Sequence, residues 1–325
     1  MGDSRSAPVP GASRDGDPAS NVDPAGKIDP ARGQHRPTDG IPRRRVAALS
    51  WRRLVRSPNL LVGFAVLALV VGGAAFARQI APYSPIDQAF ADQLRPPSPA
   101  HLLGTDEFGR DIFSRVIYGA RIALTIGVLA DGIAAVLGII LGIVSGYFGG
   151  WVDSAVMRTV DVMLAFPYLL LAMIVVAILG PSLTNAMIAI GIVYTPQFAR
   201  LVRGAVLAVR ELEFVEAAGA LGAGPVRVLG RHVLPNVLSP IIVMATLTVG
   251  FTIVETAGLS FLGLGASPPA PEWGSMLATG RSYMLTAPWI ATFPGLAILV
   301  TVVGFNLVGD GLRDLLDPRL RGRGF

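Results

Sequence analysis

Long uncharged runs set off by clusters of arginine dominate the pattern along the chain. Ser57 to Ala77 carries no charge between Arg56 and Arg78, and Ile122 to Val152 is broken only by Asp131. No charge separates Asp161 from Arg200, a stretch too long for one span, with Gly180-Pro181-Ser182-Leu183-Thr184-Asn185 as a turn signal in its middle. Two further apolar stretches run from Asn236 to Val254 and from Pro288 to Val308, the last stopped by Gly309-Asp310. A helix needs about 20 apolar residues to cross a hydrocarbon core about 30 Å thick. The pattern therefore predicts an all-α integral membrane protein with six transmembrane helices, near 57–77, 122–147, 162–179, 186–200, 236–254 and 288–308.

Composition supports that reading. Of 325 residues 52% are hydrophobic and 15% charged, against about 25% charged in soluble domains. With the N-terminus inside, 21 of the 27 basic residues fall on the inner side of the six helices and six on the outer side. Retention of Arg and Lys in the cytoplasm then places both termini there. No apolar run follows Met1, so the first helix is expected to direct insertion. Residues 1–50, rich in Pro, Gly, Ser, Asp and Arg, are expected to be a disordered cytoplasmic tail. Arg43, Arg44, Arg45, Arg52, Arg53 and Arg56 sit just inside the first helix, where they could bind anionic lipid or serve only as a topology signal.

Some chemistry is excluded. There is no Cys, and His35, His101 and His232 lie far apart, so neither a thiol nucleophile nor a His- or Cys-ligated metal is expected, and no cofactor. The sole lysine, Lys27, is followed by Ile28, so the chain holds no Walker A loop for ATP phosphates. No His-Glu-x-x-His run occurs, and Gly258-Leu259-Ser260-Phe261-Leu262 lacks the closing Gly of a nucleophile elbow.

The most informative segment is Arg200 to Pro235, mixed in charge within a chain otherwise sparing of it. It reads as two short helices, Glu211 to Leu221 and Pro225 to Val233, separated by Gly222-Ala223-Gly224, with Leu234-Pro235 ending the second before the next span. Such a knob suits either a soluble partner or the headgroup layer. Elsewhere, Gly138, Gly142 and Gly146 form a small-residue face for close helix packing. Asp131 is an intramembrane carboxylate and hence a candidate pathway residue. Glu255 is expected at the outer end of the fifth helix. Segment 258–288, with Trp273 and Trp289, is expected to be a re-entrant or interfacial piece.

Glu216-Ala217-Ala218, Gly222, His232 and Leu234-Pro235, at their spacing, resemble the EAA loop of ABC importer permeases, with the histidine of the peptide branch. Further stretches are similar to that branch. They are His101 to Asp106 with Gly109-Arg110-Asp111, Ser114-Arg115 and Tyr118 to Arg121; Gly146 to Gly150 with Asp153; Gly258 to Gly265; and Gly309 to Asp314 with Asp317-Pro318-Arg319. The resemblance, to the C-type subunit of oligopeptide and dipeptide permeases, covers roughly 101–321; the long N-terminal tail and Asp131 depart from it.

The resemblance implies a type I ABC importer permease fold in a bacterial inner membrane, with 51–100 as the first helix and start of the external loop, 101–321 as the permease domain, its EAA loop at 200–235, and 322–325 as a C-terminal tail. It implies a non-catalytic half-pore. Its partners would be a second permease subunit in a heterodimer, two ATPase subunits, an external substrate-binding protein and membrane lipid, and no nucleic acid. The ATPase-coupling residues would be Glu216, Ala217, Ala218, Gly222, Arg227, Arg231, His232, Leu234 and Pro235. The substrate class implied is di- or oligopeptides, with nickel or glutathione as alternatives. An ion-driven secondary transporter is the rival reading, although the sequence offers only Asp131 as an intramembrane carboxylate within a span and no evident repeat.

Overall fold

A computed structural model describes residues 58–316, and the N-terminal tail, the arginine cluster before the first helix and Asp317-Pro318-Arg319 lie outside them. The described residues form α1 (Pro58–Ala75), α2 (Ile112–Phe148), α3 (Gly150–Leu164), α4 (Tyr168–Leu179), α5 (Leu183–Arg210), α6 (Glu213–Ala220), α7 (Pro225–Phe261), α8 (Trp273–Gly280) and α9 (Trp289–Leu316). Each of the six predicted spans corresponds to one helix: α1, α2, α4, α5, α7 and α9. Taken singly, α1, α2, α7 and α9 are long and apolar enough to cross a membrane; α3 and α4 qualify only together, bent by 98° at their junction. In α5 the second half carries Arg200, Arg203 and Arg210, which leaves 183–199 as its uncharged part.

Several boundaries move for identifiable reasons. The second span begins at Ile112 rather than 122, because the Asp111 carboxylate accepts the Ser114 N–H (2.8 Å) and caps the helix there. At 1.5 Å per residue its 37 residues reach about 55 Å, so charges counted as loop, Arg115 and Arg121, lie on the helix. The third span is not continuous from 162: the chain turns at Ala165-Phe166-Pro167 and α4 starts at Tyr168. The fourth runs on to Arg210, so the first third of the supposed 200–235 loop is helix, and Pro196 is accommodated within it. Leu234-Pro235 does not stop the segment before the fifth span; α7 is continuous from Pro225 through the membrane and past Glu255 to Phe261. The sixth span passes through Gly309-Asp310 to Leu316. Gly309 and Gly311 are there for space: a Cβ on the first would strike the Leu247 side chain, and on the second would sit 2.7 Å from Leu60 Cδ1.

The tightest crossing is that of α2 with α5. A Cβ at Gly138 would collide with Phe198 Cβ, one at Gly142 would lie 2.6 Å from Val202 Cβ, and one at Gly146 3.0 Å from Val206 Cβ. The small-residue face thus serves packing inside this chain. Around it, Ala130, Ala134, Ala172, Val176, Ala189, Ile190, Val193 and Phe198 build a buried core shared by α2, α4 and α5.

At one end of the bundle, 81–111 and 262–288 are locked together by buried charge. Asp106 accepts the Phe108 and Arg110 amides (2.9 Å each) and the Arg110 Nε–H (2.7 Å), and Arg115 Nε lies 3.5 Å from the same carboxylate. Arg115 also donates to the carbonyls of Pro85 (2.7 Å), Pro269 (3.3 Å) and Ala270 (3.5 Å). Arg110 reaches Glu107 (3.1 Å), whose pKa is pushed up by burial and by the neighbouring Asp106 charge. Asp111 accepts from His101 Nδ1 (3.0 Å) and the Ser114 hydroxyl (2.7 Å) as well as the capping amide. Both tryptophans spend their indole N–H groups within the chain. Trp273 is buried and donates to the Val116 carbonyl (3.0 Å), and half-buried Trp289 donates to the Thr105 carbonyl (3.0 Å). Glu272, its pKa raised by burial, caps α8 by accepting the Gly274 and Ser275 amides.

Two outcomes follow. Gly138→Ala overpacks the α2–α5 crossing and costs about 1–3 kcal/mol, seen as a lowered thermal midpoint of the purified chain, whereas Gly132→Ala, where a Cβ meets nothing within 4 Å, does not lower it. Asp106→Asn leaves two buried guanidinium groups short of their carboxylate and lowers stability by about 3–5 kcal/mol, measured the same way.

Candidate functional site: the platform between α5 and α7

At the opposite end, α6, the Gly222 turn and the first turns of α7 form a platform on a base of valines. Val202, Val206 and Val209 from α5, Val215 from α6, and Val228, Val233 and Val237 from α7 are all buried against one another. This spacing explains why two short helices hold their shape here: one valine-bearing face of each is removed from water. Gly222 joins them with φ +83°, a left-handed conformation that glycine adopts without strain. The Ala223 N–H donates back to the Ala218 carbonyl (3.1 Å), closing the end of α6. Pro225 opens α7, where a missing N–H leaves no bond unmade.

The opposite face looks outward. Glu216, Ala217, Gly222, Arg227, Arg231 and Pro235 are exposed; Ala218, His232 and Leu234 are half-buried. Leu221 is 89% and Val226 85% exposed, and Phe214 and Leu212 at the start of the segment are also exposed. The platform therefore exposes apolar side chains on a segment that opens with Glu213 and Glu216 on α6 and continues to Arg227 and Arg231 on α7. All nine residues singled out in the sequence for coupling lie within this one segment. Leu221, Val226 and Phe214 were not singled out; a large apolar residue beside a glycine turn, beyond the end of any span, was the available signal.

His232 lies near Phe214, the two rings tilted by 51° with centroids 6.2 Å apart. It lies in a single π turn, Leu229–Val233, where the Leu234 N–H donates to the Leu229 carbonyl. Pro235 has no N–H to offer the Arg231 carbonyl, and the widened turn absorbs that gap while the Asn236 side chain donates to the His232 carbonyl (2.6 Å). Among the described residues no group of three His, Asp or Glu could hold a metal.

The arginines of α5 also have work that the sequence did not reveal. Arg203 makes a two-point ion pair with Asp153 of α3 (2.5 and 2.6 Å), Arg200 pairs with Asp161 (2.5 Å), and Arg210 donates to the Tyr147 carbonyl at the end of α2 (2.9 Å). Two aspartates eight apart on one helix were the legible hint. Asp131 lies far from the platform, midway along α2, 4% exposed, next to Thr248 of α7 and with Oδ1 unpaired. Glu255 is half-buried on α7.

Comparison with known proteins places this architecture. The family described as binding-protein-dependent transport system inner membrane component matches residues 138–322, and the N-terminal TM domain of oligopeptide transport permease C matches 47–97. The chain is 47% identical over 272 residues to a dipeptide transport system permease protein, DppC, of Alkalihalophilus pseudofirmus, covering 84% of this chain and 90% of the relative. It is 48% identical over 273 residues to a glutathione transport system permease protein, GsiD, of Escherichia coli O157:H7, with the same coverage of 84% and 90%. Among solved structures, an inward-facing MetNI methionine ABC transporter chain matches with a TM-score of 0.52 at 19% identity, covering 63% of this chain and 98% of that one. That similarity concerns the fold.

Val215→Ala removes two buried methyl groups from under the platform and costs about 1–3 kcal/mol. Amide exchange across 213–220 should quicken by roughly tenfold while the spans stay protected; the exposed Leu221→Ser should leave exchange unchanged.

Proposed function

The chain belongs to the family of binding-protein-dependent transport system inner membrane components, and on that premise we propose that it forms half of the translocation pathway of an ATP-driven importer for small peptides. Dipeptides and glutathione, the solutes named for its relatives, share a short peptide backbone, which is the substrate chemistry assigned here. The chain itself hydrolyses nothing. It pairs with a second permease subunit, receives substrate from an external binding protein, and is driven by two ATPase subunits in the cytoplasm, where its platform and both termini lie.

The observation that carries the coupling role is the exposed apolar centre of the platform. Leu221 and Val226 stand almost fully in water on a rigid valine base, and exposed apolar clusters rimmed by charge mark protein contacts. Glu216, Ala217, Ala218 and Gly222 form the helix and turn that enter a groove of the ATPase. The small alanines permit close approach, and Glu216 meets a basic group there. Arg227 and Arg231 flank the contact, and His232, Leu234 and Pro235 join it to α7. Asp131, buried midway along α2 with one carboxylate oxygen unpaired, is the candidate pathway residue of this half.

Glu216→Lys tests this directly. In liposomes holding the permease pair, both ATPases and loaded binding protein, the variant should insert normally yet lose at least tenfold in dipeptide uptake. Normal uptake by an intact complex would refute the coupling role. Uptake by the chain alone, without ATPases, would refute the importer reading and favour the ion-driven alternative.

A further inference from the structure

Arg210 stands at a junction. It is the last residue of α5, immediately before the platform, and its guanidinium donates to the Tyr147 carbonyl (2.9 Å) in the final turn of α2. A cation on a helix's free carbonyl end is favourable both as a hydrogen bond and toward the helix dipole. Two turns back, Arg203 holds Asp153 in the first turn of α3 by two short bonds. The end of α5 is thus fastened to the corner where α2 passes into α3.

At its other end α2 is fastened as firmly. Arg115 reaches the carbonyls of Pro269 and Ala270, Trp273 donates to the Val116 carbonyl, and a Cβ on Gly119 would press against Trp273. Between these attachments α2 is continuous. Among the described helices of 28 residues or more it is the one without a proline; α5, α7 and α9 hold Pro196, Pro240 and Pro294. The alternative link from platform to far end, α7 itself, is interrupted near the platform by a π turn and by Pro235 and Pro240, where motion can be absorbed.

We propose that α2 is the rod that carries displacement of the platform to segment 262–288 at the opposite end, and that Arg210 is the positioning residue joining platform to rod. This rests on the importer reading above. Arg210 acts through the α2 backbone and touches neither substrate nor nucleotide.

The test uses the complete assembly in liposomes with Arg210→Ala and Arg210→Lys, measuring ATP hydrolysis with and without binding protein loaded with a dipeptide. Arg210→Ala should still retain its ATPase subunits on purification. Stimulation by the loaded binding protein should fall at least fivefold, with the half-stimulating concentration unchanged, because transmission and not docking is lost. Arg210→Lys, which keeps a cation for the same carbonyl, should recover much of the stimulation. Undiminished stimulation in Arg210→Ala would overturn the proposal, as would loss of the ATPase subunits, which would make Arg210 a docking residue. If the unaltered assembly shows no stimulation at all, the importer reading fails instead.

Discussion

The close crossing of α2 and α5 sets where the paired arginines of α5 come to lie. In a bilayer, helices gain little from hiding apolar surface from lipid, so association depends on contact and on how near two backbones can come. Gly138, Gly142 and Gly146 let Phe198, Val202 and Val206 settle directly on the α2 backbone. With that crossing fixed, the inner turns of α5 run alongside the end of α2, and Arg203 and Arg210 can reach Asp153 and Tyr147. The platform is then held at a defined height, because it continues from the same helix.

Charge is used differently at the two ends of the bundle. At the 81–111 end, Asp106, Arg110, Asp111 and Arg115 are all buried. Buried ion pairs contribute little net stability over apolar packing, yet these satisfy backbone groups that no helix or sheet would pair. Arg115 alone serves three carbonyls from two distant segments. At the platform end the charged groups Glu213, Glu216, Arg227 and Arg231 are exposed, as are Leu221 and Val226.

Six apolar stretches were readable from hydropathy because membrane crossing imposes length and low charge, and the 200–235 segment stood out because it is mixed in charge within a chain otherwise sparing of it. Boundaries were less legible, since they depend on partners distant in sequence. Asp111 starts α2 ten residues early through a cap that local charge counting treats as loop. Gly309-Asp310 reads as a stop, but Gly309 is there to admit Leu247. Trp273 and Trp289 read as headgroup anchors by composition, while the structure spends their N–H groups on carbonyls of 105 and 116. The family resemblance in 101–121 was visible as a string of residues; its physical content, an ionic clasp closing one end of the bundle, required the third dimension.

Prolines are distributed with a consequence for motion. Pro167 falls at the 98° bend before α4, and Pro196, Pro240 and Pro294 lie inside α5, α7 and α9. Each removes a backbone hydrogen bond that lipid cannot replace, so each marks a place where a span bends more readily than its neighbours. The π turn around His232 adds another such place, close beneath the platform. A bundle in which every long helix could flex would dissipate a push delivered at one end. A bundle in which none could flex would not open. Here α2 lacks these joints and is fastened at both ends by arginine to backbone carbonyls, whereas α5, α7 and α9 have them. Among the described helices of 28 residues or more, the joints lie in α5, α7 and α9 and leave α2 unbroken.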